Sequence, residues 1–75
     1  MNLERIRNLR EDNDLSQQEI AQRFNISQRA YSHYEIGSRD IPLNLLMELA
    51  DLYGTSVDYL LNRTNVKEPY PKNNK

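Results

Sequence analysis

Residues 15–37 read LSQQEIAQRFNISQRAYSHYEIG, and the fold turns on how this stretch divides. Ser16 followed by Glu19 forms a capping box, in which each side chain accepts a backbone N–H at the other's position. Leu15 before the cap and Ile20 after the first turn form the matching hydrophobic staple. A helix therefore starts at Ser16 and runs to about Phe24, with Ile20, Ala21 and Phe24 inward. Asn25 interrupts the pattern, and asparagine tolerates the left-handed backbone that a tight turn needs. Ser27 then caps a further helix, and Ile26 with Tyr31 repeats the staple spacing. Gly37 stops that helix, because glycine takes a positive φ without steric cost.

Outward from this stretch, the same signals mark three more helices. Upstream, Leu3, Ile6, Leu9 and Arg10 share a stripe, which predicts a helix from about Asn2 to Asn13. Downstream, Pro42 suits the first position of a helix carrying Leu46, Leu49, Ala50 and Tyr53, and Gly54 ends it. Leu45 and Leu52 fall off that stripe. Ser56 opens a short fifth helix with Val57, Leu60 and Leu61 for the core. From Thr64 onward, two prolines, three lysines and three asparagines read as a frayed tail. No period-two alternation persists long enough for a sheet. The expected architecture is all-α, a compact five-helix domain over 1–63 with a flexible tail over 64–75.

Composition narrows what such a domain does. The chain has 75 residues, 37% hydrophobic and 28% charged, which suits one small soluble domain. A chain of this size buries only about 60% of its unfolded surface, too little for two lobes around a cleft. There is no cysteine, so disulfides and thiolate metal sites are excluded. The single histidine has no partner for a metal, and no glycine loop or carboxylate pair suggests catalysis. The sequence points to no enzyme, no metal or other cofactor, and no small-molecule ligand. No run approaches the roughly 18 apolar residues of a membrane span, and the chain reads as cytoplasmic.

The formal net charge is −1, which excludes a polycation that coats nucleic acid by charge alone. The charge is nevertheless uneven. Residues 16–39 set Arg23, Arg29 and Arg39 against Glu19 and Glu35, whereas residues 40–63 set only Arg63 against Asp40, Glu48, Asp51 and Asp58.

The second and third helices, joined by Asn25 and Ile26 alone, form a helix-turn-helix. Ala21 is the small residue at the crossing, and Ile20, Phe24, Ile26, Tyr31 and Tyr34 fill the angle. The third helix keeps Gln28, Arg29, Ser32 and His33 outside, with Ser27 at its start. Arginine suits guanine and glutamine suits adenine in the major groove, so these four are candidate base contacts. Gln17 and Gln18 lie beside the free N–H groups of a helix N-terminus, where a phosphate is attracted. Arg39, in the loop beyond, is a second phosphate candidate, as is Ser27.

The runs LSQQEIAQRFNISQRAYSHYEIGSRDIP and LLMELADLYGTSVDYLL, within residues 3–63, resemble the helix-turn-helix domain of phage repressor and Cro-type (XRE-like) regulators. The resemblance implies operator DNA as partner, a third helix in the major groove, binding as a homodimer, and most often repression. It implies that Gln17 helps clamp the DNA backbone, and that Arg10 pairs with Glu35 to set the recognition-helix angle. Two positions depart from the usual pattern: Asn25 stands for the commoner glycine, and Tyr31 for an aliphatic residue, so its hydroxyl needs a partner or an interface edge. Leu45, Leu52 and Tyr59 are the apolar surplus expected at a dimer contact. The competing use of the same fold is a protein-interaction module, antitoxin-like or regulator-binding.

Loss of one partner from a mostly buried ion pair costs about 3–5 kcal/mol, a large share of a small domain's stability. Glu35→Ala is therefore expected to lower the melting temperature more than Ser32→Ala. Equal melting temperatures remove the structural role of the pair.

Overall fold

The computed structural model describes residues 3–69, which form five α-helices: α1 (Glu4–Asp12), α2 (Gln17–Arg23), α3 (Gln28–Ile36), α4 (Leu43–Tyr53) and α5 (Val57–Leu60). No strand occurs among the described residues, and the all-α five-helix reading holds. The boundaries tighten by a residue or two. Asn2 of the expected first helix lies outside the described residues, and Asn13 is the C-cap of α1. Phe24 is the C-cap of α2 rather than its last helical residue. Pro42 is the N-cap of α4, with ψ 143° in the extended region, so the helix proper begins at Leu43.

Local chemistry explains most of these ends. Ser16 Oγ accepts from Glu19 N at 3.0 Å while Ser16 N donates to Glu19 Oε1 at 2.8 Å, which completes the capping box. Ser27 Oγ accepts from Ala30 N, and Ser56 Oγ from Tyr59 N, each at 3.0 Å. Gly37 and Gly54 close α3 and α4 with φ of 91° and 64°. Asn25 turns the chain between α2 and α3 at φ 59°, and Ile26 N donates to Ala21 O at 2.9 Å across that turn. Asp14 and Asn62 also take positive φ. These are the side chains that tolerate it best after glycine.

The core is one cluster drawn from every helix: Leu3, Ile6 and Leu9 at the start, Ile20 and Ala21 from α2, Tyr31 from α3, Leu45, Leu46, Leu49 and Ala50 from α4, and Leu60 from α5. Tyr31, Leu49 and Leu60 are fully buried. Burial of Ala21 lets α2 and α3 cross closely. The placement of Leu45 off the apolar stripe is corrected: it is buried, and Leu52 packs partly buried against the core. Leu45 is thereby not left over for a partner, whereas Leu52 keeps part of its surface. The apolar face of α4 is wider than a single line, since Leu45 joins Leu46, Leu49 and Ala50 in the core. Leu43 and Met47 are the large apolar side chains that α4 leaves exposed.

Polar ties continue past residue 63. The Arg5 guanidinium lies over the Tyr59 ring, 4.1 Å from its centroid, and donates to the carbonyls of Tyr59 and Thr64 and to Asn65 Oδ1. The buried Thr55 hydroxyl donates to the Lys67 carbonyl.

A Cβ built at Gly54 meets nothing within 4 Å, so only its φ of 64° opposes a side chain there. Gly54→Ala is expected to cost about 1 kcal/mol and Gly54→Asn distinctly less. Thermal melts of the two variants check this order.

Candidate nucleic-acid interface

The two capped helices hold α3 with one face on the core and the other to solvent. Tyr31 points fully inward, and Ala30, Tyr34 and Glu35 flank it partly buried. Gln28 and Arg29 are exposed, and Ser32 and His33 are half-buried at the edges of the outward face. The structure thus brings all four sequence-derived base candidates to one surface. Among the described residues, the side chains of Gln28, Arg29 and Arg39 hold no hydrogen bond or ion pair. Their donors are free for an external acceptor.

The other candidates have local partners as well. Ser27 is exposed, with its oxygen accepting from Ala30 N, so its hydroxyl hydrogen is available outward. Gln18 is exposed. Gln17 is half-buried and donates from Nε2 to Glu35 Oε1 at 3.1 Å. One of its N–H groups is thereby used, while the other and the amide oxygen remain.

Arg10 and Glu35 meet through two parallel hydrogen bonds, Nε to Oε2 and Nη2 to Oε1, each 2.9 Å. Their side chains are 12% and 4% exposed, so the pair is largely desolvated. Arg10 Nη1 also donates to Leu15 O at 2.9 Å, which brings the chain before α2 into the same knot. Three helices meet at one carboxylate. Burial works to raise the Glu35 carboxyl, but the Arg10 guanidinium, the Tyr31 hydroxyl dipole and the Gln17 amide outweigh it and leave it below the ordinary range. The hydrogen bond to Glu35 raises the Arg10 guanidinium further.

Tyr31 and Tyr53 end in this knot. Neither buried hydroxyl meets a partner in hydrogen-bond geometry, although both lie in the field of Glu35. The need for a Tyr31 partner, read from the sequence, is therefore met only by this dipole contact. Burial first, then the Glu35 charge, pushes the Tyr53 hydroxyl up to about 12, and the same causes raise Tyr31 further.

Two residues of this surface escape a sequence reading. Ser38 Oγ lies 2.8 Å from His33 Nδ1 and fixes the orientation of the ring. Its hydroxyl has a single hydrogen. The His33 carbonyl, 3.4 Å away, is already met by the N–H groups of Gly37, Ser38 and Arg39. Ser38 Oγ also donates to that carbonyl, so the Nδ1 contact runs from ring to hydroxyl or from hydroxyl to ring according to the tautomer of His33. No pattern in the sequence signals this contact, because it depends on the left-handed turn at Gly37. The other residue is Ile36, 73% exposed at the end of α3. Its spacing from Arg29 was legible, but an aliphatic side chain in a helix pattern reads as core.

The shifted groups define a pH window. Glu35, lowered in the fold, contributes stability that is full above its ordinary value of 4.5 and lost as pH falls through the folded value. Tyr53 and Tyr31, raised in the fold, contribute stability that is full below their ordinary value of 10.0; that of Tyr53 is lost as pH rises through about 12, and that of Tyr31 over a range reaching higher still. The melting temperature is expected to form a plateau between these limits. Tyr31→Phe together with Tyr53→Phe flattens the alkaline arm, and an unchanged arm in that variant overturns the assignment.

Comparison with known proteins accords with this geometry. A family model described as helix-turn-helix matches residues 6–60. The chain is 39% identical over 72 residues to the HTH-type transcriptional regulator AnsR of Bacillus subtilis, covering 96% of this chain and 62% of that protein. It is 38% identical over 69 residues to the uncharacterized HTH-type transcriptional regulator YobD of the same organism, covering 92% and 62%. It is 33% identical over 66 residues to the cryptic phage CTXphi transcriptional repressor RstR of Vibrio cholerae, covering 85% and 60%. The chain thus spans somewhat over half the length of these relatives. No solved structure matches it. By its capped α2–turn–α3 unit and by these matches, the chain belongs to the helix-turn-helix family, in its phage repressor and Cro-type (XRE-like) branch.

Proposed function

We propose that this chain is a DNA-binding transcriptional regulator, acting as a repressor, that reads a double-stranded operator with α3 in the major groove. The observation that carries this is the outward face of α3, where Gln28 and Arg29 present unpaired donors beside Ser32 and His33. The names of its relatives as transcriptional regulators and repressors support the same reading. Arg29 supplies the planar fork suited to guanine, and Gln28 the amide suited to adenine. Gln17, Gln18, Ser27 and Arg39 hold the sugar–phosphate backbone and set the register. The Arg10–Glu35 knot sets the angle of α3 and, through Gln17, links that angle to the backbone contact.

The chain acts as a homodimer on a near-palindromic site, with its two recognition helices about 34 Å apart. Leu43 and Met47, one turn apart and 65% and 53% exposed, are the apolar side chains of α4 left for that contact. Among the described residues no helix is long and apolar enough to cross a membrane, and the proposed site of action is the cytoplasm. No catalysis and no cofactor enter this reading.

Of the backbone contacts only Arg39 is cationic, and neutral donors release no counterion. The slope of log affinity against log salt for a dimer is therefore about −2, shallow for a DNA-binding protein. In a gel shift on the DNA flanking its gene, Arg39→Gln weakens binding to all sequences alike and flattens this slope. Arg29→Ala instead costs about 1–3 kcal/mol on the specific site and relaxes its preference. No shift at micromolar protein in low salt sinks the DNA reading and favours the protein-interaction alternative.

A further inference from the structure

We infer that Ile36 is an apolar reading residue of α3, packing against the C5-methyl of a thymine in the operator's major groove. The inference rests on the DNA reading above and extends the recognition surface by a residue of a different chemical kind.

Ile36 is 73% exposed, the most exposed large hydrophobic side chain among the described residues. It is no stray surface aliphatic, because its position on α3 is constrained. Seven residues separate it from Arg29, two helical turns less about 20°, so both lie on one line along the helix. That line runs opposite the core, since Tyr31 on the other side is fully buried. Ser32 is one turn back on the same face. The rise over seven residues is about 10.5 Å, or about three base-pair steps of 3.4 Å. A helix that sets Arg29 against one base edge carries Ile36 along the same groove.

The side chains at the foot of Ile36 carry polar or charged heads, and only their alkyl stems are apolar. The shallow groove at its foot is lined by Arg7, Arg10, Glu11, Gln17 and Glu35, all polar or charged. A branched aliphatic side chain held there against water gains only when an external apolar group covers it. The major-groove edges of the base pairs carry nitrogen and oxygen donors and acceptors, and one apolar group, the thymine methyl. Ile36 has no hydrogen bond to give or take, so this methyl is the feature it selects.

The test uses duplexes that the wild-type chain selects from a random pool. Each thymine of a half-site is replaced in turn by deoxyuridine, which removes the methyl and keeps every hydrogen-bonding group. At one thymine, wild-type affinity is expected to fall about fourfold, the effect of one buried methyl group. Ile36→Ala is expected to bind the thymine and deoxyuridine duplexes equally. Because Ile36 touches no core, the variant keeps the wild-type melting temperature, and a melt run alongside separates lost recognition from lost folding. The inference is overturned if no thymine matters, or if Ile36→Ala retains the full discrimination between the two duplexes. A wild-type chain that selects no duplex at all removes the DNA reading itself, and this inference with it.

Discussion

The Glu35 carboxylate is the point to which the geometry of the domain is tied. It receives two hydrogen bonds from Arg10 of α1 and one from Gln17 of α2, and it is itself carried by α3. Arg10 adds a third bond to the Leu15 carbonyl before α2. In a nearly dry setting, each of these donors offsets part of the cost of removing the charge from water. None of them is dispensable without leaving a buried charge underserved. The pair therefore acts less as added stability than as a rule about where three helices must lie. A misplaced α3 breaks the bidentate geometry before it disturbs much apolar packing.

Around that point the domain relies on backbone chemistry at helix ends rather than on staples. The five helices are short, from four to eleven residues, so unpaired terminal groups are a large share of their backbone. Serine hydroxyls at the starts of α2, α3 and α5 and left-handed glycines after α3 and α4 satisfy them locally. The outward face of α3 is then free of structural duty, and its polar side chains are available to an external ligand. The acidic residues fall mainly outside the α2–α3 unit, which reconciles a net charge of −1 with a DNA-facing surface. Selectivity then has to come from base edges, since charge attraction supplies little.

The element types, the turn at Asn25 and the outward set on α3 were legible because each depends on chemistry within a few residues. Capping boxes, left-handed turns and a 3.6-residue period are local properties. What was misread was longer in range. Leu45 lies off a single-line stripe, yet it is buried in the shared core with Leu46, Leu49 and Ala50. Pro42 carries the right φ for a first helical residue, but its ψ stays extended and makes it the cap. The contact of Ser38 with His33 depends on a reversal at Gly37 that brings residues five apart together.

By itself, the sequence determined five helices, a helix-turn-helix between Ser16 and Gly37, and a third helix with Gln28, Arg29, Ser32 and His33 outward. These follow from propensity, capping and periodicity, which act along the chain. Only the tertiary structure decided the rest. It gathered Arg10, Gln17 and Glu35 at one desolvated carboxylate, and buried two tyrosine hydroxyls in its field without hydrogen bonds. It also left Ile36 uncovered, two turns along α3 from Arg29 on the same side. The physical reason is that burial and electrostatic coupling depend on which surfaces meet. Aliphatic residues look alike in a pattern until neighbours cover some of them and leave others to water.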